Sequence, residues 1–438
     1  MKWNWPFVRK VLLGVLVLSS LYLSGIIWRS PGNYTDSING KEKASSTAVT
    51  FDRKIERVFG PEQVILHEAD KSELTDKKQA TALLGKTLNG LKLSNLSGPF
   101  SLERGEYHSQ LKENHVVMEL VFSGKVPFGL YKKQYAFLSK DSENRTFNRV
   151  YFSTQNMEEL YFYNTDAKLF YRADVSQIDT KEIKQLIEAV KETAYQVKSY
   201  ETSDNLTYLP MEDIEIPYFS YMVEQQPNSL YIGRLFEYTS EVQTIRHDNE
   251  VRYFDYFSEL SINEKTNILN YSRSEMSGDA MDLTRHLKDS FNELLLYDNW
   301  PNDIHFANYS STTNQVSFKR YLQGLPVFGK VDHGTTYISV NDSTLASLQV
   351  PLVVAQTPIS NEEEDKVLLS GDELMSRLEM VGYSLKEIEG IKLGYTWMDS
   401  SESSRVVSFV PEWYIKVNGT WEQAITIVGD KGGNIDGL

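Results

Sequence analysis

Seven histidines and sixty carboxylates are the residues of this 438-residue chain that could do chemistry, yet their spacing assembles none of the familiar catalytic sets. The histidines stand at His67, His108, His115, His247, His286, His305 and His333, none within five residues of another. No His-Glu-x-x-His occurs, so a zinc site built from one segment is unsupported. Ser109 and Lys112 form the Ser-x-x-Lys that supplies nucleophile and base in penicillin-recognising enzymes, but the Lys-Thr-Gly strand such sites need is absent. There is no Gly-x-Ser-x-Gly elbow either. Gly85-Lys86-Thr87 ends like a phosphate loop, but its first glycine would fall at Ala80. The lack of cysteine excludes thiolate catalysis, zinc–thiolate sites and disulfides. With so many acids, a glycosidase-type carboxylate pair cannot be picked out by spacing. We therefore expect no catalytic or metal-ligating set and no cofactor, and, with the acidic, tyrosine-rich composition and the anchor read below, look for binding or regulation.

The elements that would position such a function begin with residues 11–28, VLLGVLVLSSLYLSGIIW, which carry no charge. As an α-helix this run reaches about 27 Å, close to the ~30 Å hydrocarbon core of a bilayer. Lys2, Arg9 and Lys10 precede it, and Trp3, Trp5 and Trp28 sit where an aromatic belt would lie. That pattern predicts a single-pass anchor with its N-terminus in the cytoplasm and the rest of the chain outside. A cleaved secretory signal has a shorter apolar region, and large aliphatics follow the small residues here. The chain's net charge is −15, and the first 29 residues carry four bases and no acid, leaving −19 for the remainder. Nucleic acid and anionic polymers are excluded as partners on that ground.

Residues 30–47 are polar and rich in turn formers, as a linker would be. The first domain outside the membrane is read as 48–200, with strands near 64–67, 115–126 and 147–154. A helix is expected over 70–91, a hairpin over 160–175 around Asn164-Thr165-Asp166, and a closing helix over 179–197. A central domain, 201–300, shows strands at 217–223, 242–247, 251–257 and 261–271, then an amphipathic helix through Leu283, Leu287, Phe291, Leu294 and Leu295. The last domain, 301–438, repeats the outline. Strands at 304–309, 316–323, 335–340 and 345–354 precede a helix at 372–380, and strands follow at 391–397, 405–417 and 421–428. A helix followed by an antiparallel meander thus occurs at 281–354 and again at 371–428. The expected class is α+β: an N-terminal transmembrane helix, then three domains of antiparallel sheets with packed helices, the last two of similar topology.

Four strings carry a resemblance. They are Tyr321-Leu-Gln-Gly-Leu-Pro-Val-Phe-Gly329, Gln349-Val-Pro-Leu-Val-Val-Ala-Gln-Thr-Pro358, Gly394-Tyr-Thr-Trp397 and Val410-Pro-Glu-Trp-Tyr-Ile-Lys-Val-Asn-Gly419. With the anchor and the chain length, they make the whole sequence resemble the YycH family. That resemblance implies a non-enzymatic, extracytoplasmic membrane protein. It would act with a YycI-like protein on the essential cell-wall sensor histidine kinase YycG, also called WalK, through their transmembrane helices.

For helices meeting in lipid, close packing at small residues is what favours association. Ser20 and Ser24 form a small-xxx-small pair, while Gly14, Leu21 and Gly25 share one side of the same helix. These five residues are the expected partner-binding face. The alternative reading is an extracytoplasmic sensor for a cell-wall fragment or peptide, its groove lined by the aromatic stretches 161–171 and 253–257.

Overall fold

Val64, Ile65 and Leu66 point by turns into two different cores, and this period-2 alternation organises the first half of the chain. The computed structural model describes residues 53–424, apart from 70, 114–115, 136–137, 156, 178–179, 204, 275–281, 361–364 and 401–402, together with Leu13. Strand Gln63–Glu68 lies near the middle of a nine-stranded sheet, flanked by Val116–Pro127 and Lys71–Thr75. Beyond Val116–Pro127 come Thr146–Ser153, Glu159–Asn164, Leu169–Gln177 and Lys92–Ser101. Beyond Lys71–Thr75 come Tyr195–Glu201 and Leu206–Pro210. All these pairings are antiparallel.

One face of this sheet is covered by helices Lys78–Gly90 and Thr180–Thr193, through Ala80, Leu84, Ile183, Leu186 and Val190. The other is capped by helix Arg104–Glu113 through Tyr107 and Leu111. The sheet also curls on itself. Flat, strands five places apart stand about 24 Å away from each other. Yet Arg149 of Thr146–Ser153 donates to the Leu206 carbonyl at 2.6 Å and to Asn205 Oδ1 at 3.2 Å.

The helix expected over 70–91 is shorter. Lys71–Thr75 is a strand, because Leu74 fills the cross-strand position opposite Ile65, and the helix begins at Lys78. The expected strand 261–271 is a hairpin of Ser258–Asn263 and Ile268–Arg273. Its loop is turned by Asn263, which accepts from the backbone N–H of Lys265 and Thr266, and by Asn267 at φ 53°.

The second half forms a fourteen-stranded sheet among the described residues. Its order is Gln243–His247, Glu250–Phe254, Ser258–Asn263, Ile268–Arg273, Thr344–Pro351, Thr335–Asn341, Gln315–Leu322, Leu325–Gly329, Gly390–Asp399, Val406–Val417, Phe219–Gln225, Val353–Ile359. Ile304–Ser310 adds to Gln315–Leu322, and Thr420–Gln423 to Val406–Val417. One pairing, Leu325–Gly329 with Gly390–Asp399, is parallel. A helix followed by antiparallel strands recurs three times, after Asn228–Leu235, Leu283–Tyr297 and Gly371–Met380. Two of these helices start at side-chain caps. Asp282 accepts from Arg285 N–H at 2.9 Å, and Ser370 accepts from Glu373 N–H in a Ser-x-x-Glu box.

The larger core is continuous between the halves: Phe59, ahead of the first sheet, packs its ring on Phe306 of the second at 5.0 Å. Ser46–Glu237 with Val242–Leu438 cluster as one unit that holds both sheets. No helix of the described residues is long and apolar enough to cross a membrane. The apolar run 11–28, and with it Gly14, Ser20, Leu21, Ser24 and Gly25, lies outside the described residues except for Leu13.

Candidate functional site

The two sheets of this unit face each other across a cleft of about 870 Å³, a size typical of ligand sites. Its floor is the strip of the second sheet from Thr335–Asn341 to Thr420–Gln423. Strand Gly390–Asp399 contributes residues 390–393 to the cleft, among them Gly390 and Lys392, while Gly394 lies against the Phe328 ring. Both glycines make room for aromatic rings. A Cβ at Gly394 would lie 2.5 Å from the Phe328 ring, and one at Gly390 would lie 3.2 Å from the Trp421 indole. Phe328 stacks on Tyr414 at 4.0 Å between centroids and stands 5.7 Å from Trp421. Gly394→Val is therefore expected to expel Phe328 and destabilise the protein by about 1–3 kcal/mol, read as a lower urea midpoint. An unchanged midpoint would show that the floor repacks freely.

Each floor cation has an acidic partner. Lys392 Nζ lies 2.7 Å and 2.9 Å from the two oxygens of Glu62, which also accepts from Ser123 and Tyr321. This cluster ties the first sheet to the second. Burial alone pushes the Glu62 carboxyl up, but Lys392 and the two hydroxyls outweigh it and hold it at about 2. Lys319 Nζ sits 4.4 Å over the Phe328 ring, 2.9 Å from Thr335 Oγ1 and 3.6 Å from Asp332. Burial pushes this ammonium down, with Asp332 opposing. Lys416 pairs with Glu389 at 2.9 Å, and on the opposite wall Lys125 pairs with Asp166 at 2.7 Å.

Two further polar clusters lie away from the floor. Glu119, fully buried inside the curled sheet, faces His67 at 3.0 Å and Arg149 at 3.6 Å, and accepts from Tyr107 at 2.8 Å and from Tyr208. Burial would raise its pKa, but the His67 hydrogen bond and the Arg149 charge bring it to about 2. His67 Nδ1 in turn meets Ser72 Oγ at 2.8 Å. Hydrolases use these residue types, but neither Ser72 nor His67 lines the cleft.

The other cluster is Asp298 with Arg320, both without exposed surface. Arg320 donates to both Asp298 oxygens and to the carbonyls of His333, Val353 and Pro351, at 3.1–3.2 Å, so its five N–H donors are all used. Burial pushes Asp298 up, and the Arg320 and Arg53 guanidiniums, with the Arg320 and Thr336 hydrogen bonds, together more than reverse it.

Of the residues singled out by spacing, Ser109 donates to its own helix at Gly105, and His305 lies edge-on to Tyr321 with ring centroids at 4.6 Å. Among the described residues no three His, Cys, Asp or Glu side chains gather as metal ligands would. The aromatic stretches expected to form a groove lie elsewhere. Tyr161 is stacked between Tyr151 and Phe170, while Tyr256 stands 90% exposed at a turn. The cleft draws instead on Phe328 and Tyr414, which lie in two of the four resemblance strings, and on Trp421. A Gly-x-Lys-x-Gly alternation ahead of an aromatic-rich strand was the sequence signal for this floor.

These features define a sheet-dominated α+β protein with an open, charge-paired cleft. Models of the YycH N-terminal and C-terminal domains match residues 7–193 and 204–431, and the chain belongs to the YycH family. That is a regulatory family associated with the YycG kinase system rather than a known enzyme family, and its members are extracytoplasmic. The crystal structure of YycH from Bacillus subtilis superposes with TM-score 0.70 at 16% identity, over 85% of this chain and 97% of that one, and so shares the fold. An uncharacterized protein from Eubacterium rectale ATCC 33656 gives TM-score 0.30 at 9% identity, over 48% of this chain and 82% of that one. No curated protein matches the chain.

Proposed function

We propose that the chain is a non-enzymatic, membrane-anchored regulator that modulates the sensor histidine kinase YycG/WalK together with a YycI-like partner. The observation that carries this reading is the reach of the N-terminal family match. It starts at residue 7 and so includes the apolar run 11–28. In this reading residues 1–29 are the cytoplasmic tip and anchor, and 30–47 the linker. The rest forms three domains, 48–200, 201–300 and 301–438, the last two related in topology. The recurrence of a helix followed by antiparallel strands supports that division. Gly14, Ser20, Leu21, Ser24 and Gly25 form the face that receives a kinase helix. Binding biases the kinase only by preferring one of its states over the other.

The test is kinase output, read from a kinase-dependent promoter in cells. Three proteins are compared: the full chain, residues 30–438 on a foreign anchor, and residues 1–40 alone. Residues 1–40 are expected to change output by themselves. Gly14→Leu, or Ser20→Leu with Ser24→Leu, is expected to weaken co-purification with the kinase at unchanged expression. If the foreign-anchored protein alone suffices, the helix is only a tether. If none of the three alters output, the regulator reading fails.

A further inference from the structure

We propose that the cleft between the sheets binds an uncharged, hydroxyl-rich oligosaccharide, a role independent of the kinase reading. The first argument is charge. Five acidic and five basic side chains line the cleft, in a chain of net charge −15. The pairs Lys392–Glu62, Lys319–Asp332 and Lys416–Glu389 neutralise one another within the wall. A charged ligand would find no net field to hold it. A lipid would have to strip water from these ion pairs.

The second argument is shape. Gly390 and Gly394 leave room for the Trp421 and Phe328 rings to approach the strand, where the two rings stand 5.7 Å apart and tilted by 51°. Trp421 is only partly buried and sits on the last described strand of the strip. Its ring can cover the apolar C–H face of a pyranose. The paired lysines and carboxylates beside it then supply donors and acceptors for the ring hydroxyls at the same level, as specific ligand sites require.

A peptide is disfavoured by the opposite rim. The strand edge there, Leu206–Pro210, has its first carbonyl taken by Arg149 and ends in a residue without an N–H. Strand addition at that rim therefore has little to pair with.

The test is saturation-transfer NMR on the full chain in detergent, with three probes: chitotetraose, maltotetraose and tetra-alanine. At least one oligosaccharide is expected to bind saturably below about 10 mM, and tetra-alanine is not. Trp421→Ala should weaken that binding at least about tenfold, the equivalent of 1.4 kcal/mol. Trp421→Leu, which keeps the apolar bulk and loses the ring, should do the same, and it carries the test if the alanine variant unfolds. No saturable saccharide binding, binding that survives both variants, or binding of tetra-alanine alone each overturns the proposal. No kinase is present, so failure here leaves the regulator reading untouched.

Discussion

Arg320→Ala is expected to destabilise the protein by about 3–5 kcal/mol, a large part of the margin of an ordinary fold. The guanidinium has no exposed surface, and all five of its donors are committed to Asp298 and three carbonyls. Removing it leaves the Asp298 carboxylate buried without its main partner, along with three carbonyls from two segments. Arg53 compensates in part through its charge, but it also donates to the Asp298 and Trp300 carbonyls and does not reproduce the five bonds of Arg320. Asp298→Asn with Arg320→Met is expected to cost less than Arg320→Ala alone, because it removes both charges and restores apolar bulk. Urea unfolding of the three proteins checks this. A double variant less stable than the single one would show that the pair stabilises the fold by more than avoiding a stranded charge.

Glu119→Ala is expected to have a comparable effect, about 3–5 kcal/mol, because it strands Arg149 inside the curled sheet. It also carries a pH signature. The carboxyls of Glu119 and Glu62 sit at about 2 in the folded protein against 4.5 as the reference. The unfolded chain therefore binds more protons between those values. Stability is fully present above about pH 4.5 and is lost as the pH falls toward 2. Linkage puts roughly 3 kcal/mol on each carboxyl as an upper figure. Unfolding free energy measured from pH 5 down to pH 2 should fall steeply in the parent protein. It should fall less steeply in Glu119→Ala, with Glu62→Gln giving a similar reduction. A parent profile flat across that window would rule out the ion-pair account of both sites.

Much of the fold was legible from hydrophobic period alone. The helix through Leu283, Leu287 and Leu294 and the strands around Val316–Tyr321 stand where their patterns place them, because burial there has a single period. The errors arise where two periods coincide. Leu74 fits the helical spacing of Ala80 and Leu84, yet it is a strand residue opposite Ile65. Helix Arg104–Glu113 left almost no pattern, since only Tyr107 and Leu111 of its ten residues are buried hydrophobics. Strand Leu325–Gly329 was missed because its five residues are buried or nearly so, with no alternation to read.

The floor strand carries a local pattern, but the cleft itself, as the meeting of two sheets, could not be read. Glu62 and Lys392 are 330 positions apart, and only the meeting of the two sheets makes them partners. The same holds for Glu119, whose polar neighbours come from three other strands and a helix.

The place of strand Phe219–Gln225 in the second sheet bears on how the protein is made. It lies between Val353–Ile359 and Val406–Val417. During synthesis it must wait for about 190 further residues, some 10–40 s at ordinary ribosomal rates. Val353–Ile359 can cover one edge earlier, but until Val406–Val417 is made the other edge is open to any passing strand. The second half thus closes late and all at once. A chain interrupted before residue 406 is left with an unfinished sheet rather than a shorter protein.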